Sequence, residues 1–188
     1  MKKILIIGSD GNLAQCIIEE LKKQNISIFK ISRSEINFEK KNSKSKLYSH
    51  LKKLNPNIIV NCVGIFKNNN YSFESMFKIN TKISWDLIDY YRNKNKQKIK
   101  IFFIGSNAHN KARKNYILYA ASKSALNSII KSAKELFLKT NIELDIINPP
   151  AMKSNMRDKF FKSNKLNKIN SKIEIEPIII ARKIIRKF

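Results

Sequence analysis

An α/β fold on a doubly wound parallel sheet is predicted by three features of this 188-residue sequence. Apolar runs of four to six residues alternate with longer helical patterns along almost the whole chain, as repeated βα units do. A glycine-bearing turn stands between the first such run and the first helical pattern. The residues with the most evident chemistry follow the apolar runs, at the edge where open α/β sheets bind their ligands. Together these features predict three layers, α/β/α, around a reduced sheet of about five to six strands in one domain spanning 1–188.

Lys3–Ile7 reads as the first strand and 12–23 as the first helix, with Leu13, Cys16, Ile17, Glu20 and Leu21 at helical spacing. Between them lies Gly8-Ser9-Asp10-Gly11-Asn12-Leu13-Ala14. Its glycines let the backbone turn tightly and approach a pyrophosphate, which then faces the free N–H groups of the helix. Gly8, Asp10, Gly11, Asn12 and Leu13 are therefore candidates for holding a dinucleotide. The second strand, Ser27–Ile31, ends in Ser32-Arg33-Ser34. An acidic side chain there would bond the ribose hydroxyls of NAD, whereas Arg33 can pair with the extra 2′-phosphate of NADP. NADP(H) is thus favoured over NAD(H).

A helix over 44–54 must break at Asn55-Pro56, leading into the strand Ile58–Asn61. Asn61-Cys62-Val63-Gly64 closes this strand, flat enough for a cofactor ribose to lie against, with Asn61 placed to bridge neighbouring strand backbones. A long helix spans 73–91, and the strand Ile99–Ile104 carries Ser106 just past its end. Tyr119 and Lys123 sit near the start of a second long helix, 116–139. Four residues apart, they lie one above the other, about 5–6 Å apart at Cβ. A free tyrosine titrates near 10, so proton exchange at neutral pH asks for roughly 4 kcal/mol of help. An ammonium about 4 Å away supplies about that much at an effective dielectric of 20, so Lys123 is expected to lower the pKa of Tyr119. Ile142–Ile147 is the last clear strand. The polar, basic stretch 153–172 shows no regular apolar period and reads as a loop or as a lid over a substrate, and 176–188 forms a terminal helix with Pro177 in its first turn.

The formal charge of +24 arises mostly from Lys spread through a chain rich in Asn and Ile, without a basic arm or block. That is the signature of a coding bias over a solvated surface, and a nucleic-acid partner is disfavoured. Cys16 and Cys62 have neither CxxC nor Cys/His spacing, so no disulfide framework and no metal site is expected. The apolar run at the N-terminus stops at Gly8, and no stretch approaches the roughly 20 apolar residues of a membrane span. A cytoplasmic protein with no membrane partner is expected.

The succession Gly8xxGly11xxAla14, Asn61-Cys62-Val63-Gly64, Asn80, Ser106, Tyr119xxxLys123 and Asn148-Pro149-Pro150-Ala151-Met152-Lys153-Ser154 resembles the short-chain dehydrogenase/reductase family over about residues 1–156. Ser106 and Tyr119 are 13 residues apart, the interval typical of that family's catalytic pair. The resemblance implies a Rossmann-type fold and an NAD(P)(H)-dependent oxidoreductase that interconverts a carbonyl and an alcohol on a small molecule. It implies Tyr119 as general acid or base, Ser106 bonding the substrate oxygen, and Lys123 holding the cofactor ribose. Asn80 would anchor a water that relays protons from Lys123. It further implies that Pro149, Met152 and Ser154 contact the nicotinamide end of the cofactor. Asn37 and Phe38 would stand in for an Asp-apolar pair at the adenine ring. The N-terminal half is similar to sugar-nucleotide reductases of the dehydrorhamnose-forming type, which brings in a sugar-nucleotide or surface-polysaccharide precursor as a substrate class. Relatives build a four-helix dimer interface from the helices that begin near Phe73 and Tyr116, so a homodimer is expected.

The sequence departs from the family in a mixed glycine motif, in the short interval between Arg33 and Asn37, and in the missing glycine-bearing strand after Lys187. A competing reading follows from those departures and from the charge: an inactive dinucleotide-binding regulator or nucleic-acid-binding module. The intact set of Ser106, Tyr119 and Lys123 argues against it.

Overall fold

The computed structural model describes residues 2–94, 98–163 and 174–188. Among these, β1 (Lys3–Ile7), β2 (Ser27–Ile31), β3 (Ile58–Asn61), β4 (Ile99–Ile104) and β5 (Ile142–Ile147) form one parallel sheet in the order β2-β1-β3-β4-β5. The strands read as continuous apolar runs because both faces of the sheet are covered. Ile4, Ile6, Ile58, Val60 and Phe102 pack against α1 (Asn12–Leu21) and α7 (Pro177–Ile185). The alternate residues Leu5, Ile7, Ile59, Ile101 and Phe103 pack against α2 (Ser43–Leu54) and two further helices introduced below. Each fully buried Ile, Leu or Phe contributes about 1.5–3 kcal/mol, so two dry cores hold the strand ends in fixed positions. Strand order reverses between β1 and β3, which opens a crevice at their carboxyl ends.

Asn55 ends α2 in the left-handed region with φ 44°, a conformation asparagine tolerates at helix ends. The helix expected over 73–91 is interrupted. It comprises α3 (Phe73–Phe77), a wide π turn at Lys78–Lys82, and α4 (Ile83–Tyr91), with Ser72 Oγ capping the start by accepting from the Ser75 N–H. The second long helix, α5 (Ile117–Leu136), stops short of the expected residue 139. Phe137 is buried in the core, and its N–H is shared between the Ala133 and Lys134 carbonyls, which tightens the exit. Helix α1 likewise ends at Leu21 rather than 23.

The tail is more regular than its polarity predicts. Asn155–Ser163 forms α6, anchored by buried Phe160, while residues 164–172 of the expected lid lie outside the described residues. An isolated parallel bridge, Met152 to Ile175, ties the start of the tail to the lead of α7. Pro177 occupies the first turn of α7, as expected. Among the described residues no helix is long and apolar enough to cross a membrane.

Candidate active site

The crevice begins where β1 turns into α1. Gly8 has φ +77°, and a Cβ there would lie 2.9 Å from the Val63 backbone nitrogen, so only glycine lets the end of β1 meet the loop after β3. Gly11 caps α1 without a side-chain hydrogen bond, and no acidic residue stands in the first turn. Gly11, Asn12, Leu13 and Ala14 thus present the open N–H end of α1 to a cleft of about 840 Å³. That end favours an anion.

The cleft runs along the carboxyl ends of β1, β3, β4 and β5, past Cys62, Val63, Gly64, Ser106, Tyr119 and Lys123, to Pro149, Met152 and Ser154. Behind its wall stands a buried polar network. The π turn aims Asn80 at the loop after β3, where its Oδ1 accepts from the Ile65 N–H at 2.8 Å and its Nδ2 donates to the Ile65 carbonyl at 3.0 Å. Asn80 Nδ2 also reaches Ser122 Oγ on α5 at 3.0 Å. A Cβ on Gly64 would sit 3.4 Å from Asn80 Oδ1 and 3.5 Å from Lys123 Nζ, so this glycine leaves both polar groups facing one small space. Lys123 is buried and donates to the Ile104 carbonyl at 3.0 Å; removal from water pushes its pKa down to about 8.

Ser106 is held from behind by a lock that sequence reasoning gave no role. Asn148 Oδ1 accepts from the Ser106 N–H at 3.1 Å, and Asn148 Nδ2 donates to Asn127 Oδ1 at 3.0 Å. A Cβ on Gly105 would overlap Asn148 Oδ1 at 1.9 Å. Ser106 Oγ accepts from the Ala108 N–H at 3.1 Å and lines the same cleft as Tyr119.

The Tyr119 phenol does not behave as the Tyr119–Lys123 spacing predicts. Burial raises its pKa above the usual tyrosine value, and the groups that offset this are the Ser106 hydroxyl and the charge of Arg157. Lys123 Nζ lies 5.9 Å from the ring centroid and spends a hydrogen bond on Ile104 instead. Burial thus makes the phenol harder to ionise than a free tyrosine.

A model of short chain dehydrogenases matches residues 2–165. The chain belongs to the short-chain dehydrogenase family. It is accordingly an oxidoreductase, and solved structures of similar fold bear out the α/β architecture. The 3-alpha-hydroxysteroid dehydrogenase from Pseudomonas sp. B-0831, complexed with NADH, superposes with a TM-score of 0.85 at 13% identity, covering 98% of this chain and 88% of the other. A 4-hydroxyisoleucine dehydrogenase complexed with NADH gives 0.80 at 22%, covering 98% and 88%. ElxO with NADP bound gives 0.76 at 17%, covering 97% and 89%. No curated protein matches the sequence.

In this short-chain dehydrogenase the remaining candidate residues fall into two groups. Gly8, Asn61 and Asn80 support the cleft from behind. Asn61 does not bridge neighbouring strands: its Nδ2 donates to Ser84 Oγ on α4 at 3.0 Å, and its Oδ1 accepts from the Val63 N–H at 3.2 Å. Asp10, Arg33, Asn37 and Phe38 gather at the end of β2, outside the cleft lining. Asp10 Oδ2 accepts the Arg33 N–H at 2.9 Å, and the Arg33 guanidinium pairs with Glu39 at 2.7 Å. Asn37 Oδ1 accepts from the Glu39 N–H at 3.0 Å, and Phe38 packs against the core.

The aromatic wall beyond Tyr119 also escaped the sequence. Phe66 lies edge-on to Tyr119 at 4.7 Å and to Tyr116 at 4.9 Å, and stacks on Phe160 of α6 at 4.0 Å. Phe160 therefore brings the described part of the tail onto the Tyr119 end of the cleft. The sequence offered little signal for it, since Met156, one helical turn before Phe160, is exposed.

Proposed function

We propose that the protein interconverts a carbonyl and an alcohol on a small molecule, using NADP(H) or NAD(H), with Tyr119 as the proton-transferring residue. The observation that carries this reading is that Ser106, Tyr119 and Lys123 line one cleft whose other end is the open N-terminus of α1. The residues fit a nicotinamide dinucleotide: Gly11 to Leu13 suit its pyrophosphate, and Gly64 with Lys123 suits a ribose. The chemistry such a cofactor supplies when bound is hydride transfer at the nicotinamide.

The chain's own residues handle the rest. Ser106, fixed by Asn148, donates to the substrate oxygen and places it beside the phenol. Tyr119 then gives that oxygen its proton in reduction or takes it in oxidation. A buried, protonated phenol is the form that reduction needs. Lys123 lies 5.9 Å from the phenol ring, Asn80 props the loop after β3 beside it, and Phe66, Tyr116 and Phe160 exclude water. This assembled set speaks against an inactive regulator. Exposed Phe73, Trp85, Ile117 and Leu136 on α3, α4 and α5 support a homodimer built on that face.

Calorimetric titration of the full chain with NADPH and NADH tests the cofactor assignment. NADPH is expected to bind the tighter, with Arg33→Ala weakening NADPH about tenfold and leaving NADH unchanged. Equal affinities would move the preference to neither cofactor, and binding of neither would overturn the function.

A further inference from the structure

The outer end of the cleft carries chemistry that proton transfer does not use. Beyond Tyr119 its wall is the loop between the short turn Asn107–Asn110 and α5, which contributes Lys111, Arg113 and Lys114 to the lining. Lys123, Lys153 and Arg157 line the same cleft, and no Asp or Glu does among the described residues. Three of these six cations are engaged: Lys123 with the Ile104 carbonyl, Lys153 with Glu176, and Arg157 with Glu174. Among the described residues no ion pair engages Lys111, Arg113 or Lys114.

Arg113 stands out within that set. Its Nε is buried without a hydrogen-bond partner, whereas buried polar atoms are paired in the great majority of cases. Its Cζ lies 6.0 Å from the Tyr116 ring, which in turn lies 6.1 Å from the Tyr119 ring. The loop is pinned on both sides of Tyr116, since Asn69 Nδ2 donates to the Lys114 carbonyl at 2.7 Å and Asn69 Oδ1 accepts from the Ile117 N–H at 2.7 Å. Only six of the 38 basic residues are Arg, and two of the six line this cleft. In so lysine-biased a chain, a planar fork that binds carboxylate or phosphate through two bonds is a chemical choice.

We propose that the substrate carries an anionic group, a carboxylate or a phosphate, which docks on Arg113 with Lys111 and Lys114 while the reacting oxygen lies at Ser106 and Tyr119. This rests on reading the cleft as the oxidoreductase site. One step from guanidinium to the Tyr116 ring and one from that ring to the Tyr119 ring place the anion several bonds from the reacting carbon.

Calorimetric titration of the full chain with two matched pairs tests it by binding alone: levulinate against methyl levulinate, and dihydroxyacetone phosphate against dihydroxyacetone. Each anion is expected to bind about tenfold or more tightly than its neutral twin. Arg113→Gln, checked for an unchanged melting curve, should remove that advantage, and Lys52→Gln on the exposed face of α2 should not. The tighter of the two anions identifies the group. Equal binding of twins, equal losses in the two variants, or no binding of any probe would overturn the proposal. Failure of nicotinamide binding with Arg113-dependent anion binding intact would instead sink the oxidoreductase reading.

Discussion

The floor and the mouth of the cleft are built differently. At the floor, Asn80 bonds Ile65 twice and Ser122 once, Lys123 is buried against Ile104, and Asn148 fixes the Ser106 backbone while held by Asn127. At the mouth, Asn69 pins the loop by its backbone, and the charged ends of Lys111 and Lys114 are exposed. A network with every member satisfied specifies one geometry, and losing one partner leaves the others buried and unpaired. Exposed side chains on a pinned loop can change without that penalty. The fold thus fixes the side chains at the floor and leaves those at the mouth free to vary.

The sharpest way to break this contrast is Gly105→Ala. The new methyl must displace Asn148 and cost about 3 kcal/mol, read as a fall in melting temperature of several degrees. Adding Asn148→Ala to it should recover part of the loss, because the overlapping oxygen is gone. Asn80→Ala comes next, at about 2 kcal/mol, since it strands the Ile65 N–H and carbonyl in the interior. By comparison Lys114→Gln at the mouth should stay within about 0.5 kcal/mol of the parent. A mouth variant as damaging as the floor variants would erase the distinction.

A further effect, read in its pH dependence, concerns the buried ammonium. The pKa of Lys123 is about 8 in the folded chain against an ordinary lysine value of 10.5. Between those values the unfolded chain holds the proton and the folded one releases it, so this residue makes stability rise with pH. Melting curves of the parent against Lys123→Met should therefore move in favour of the parent between about pH 7.5 and 9.5. A difference independent of pH would show that burial of the charge costs nothing.

Much of this arrangement was legible in the residues. The five strands lie where apolar runs placed them because a sheet covered on both faces needs continuous runs, and one-residue precision follows from that demand. Ser106, Tyr119 and Lys123 converge because strand ends and a helix start meet at one sheet edge. The lock of Gly105 on Asn148 was not legible, since the two are distant in sequence and neither lies in a periodic pattern. Nor was the π turn, whose cause is a tertiary demand: Asn80 must reach Ile65 as well as Ser122. The Tyr119–Lys123 spacing puts both residues on one cleft, but spacing carries no information on burial, which raises the phenol's pKa. Helix α6 went unread because a short polar segment with a single buried aromatic hardly departs from loop composition.

The central claim is that the Tyr119 hydroxyl carries the proton beside Ser106, and one measurement meets it directly. Tyr119→Phe is compared with the parent in cofactor affinity and in single-turnover rate with a carbonyl substrate. The account predicts unchanged cofactor affinity and a rate lower by about 10²- to 10⁴-fold. A rate that survives the loss of that hydroxyl would contradict it.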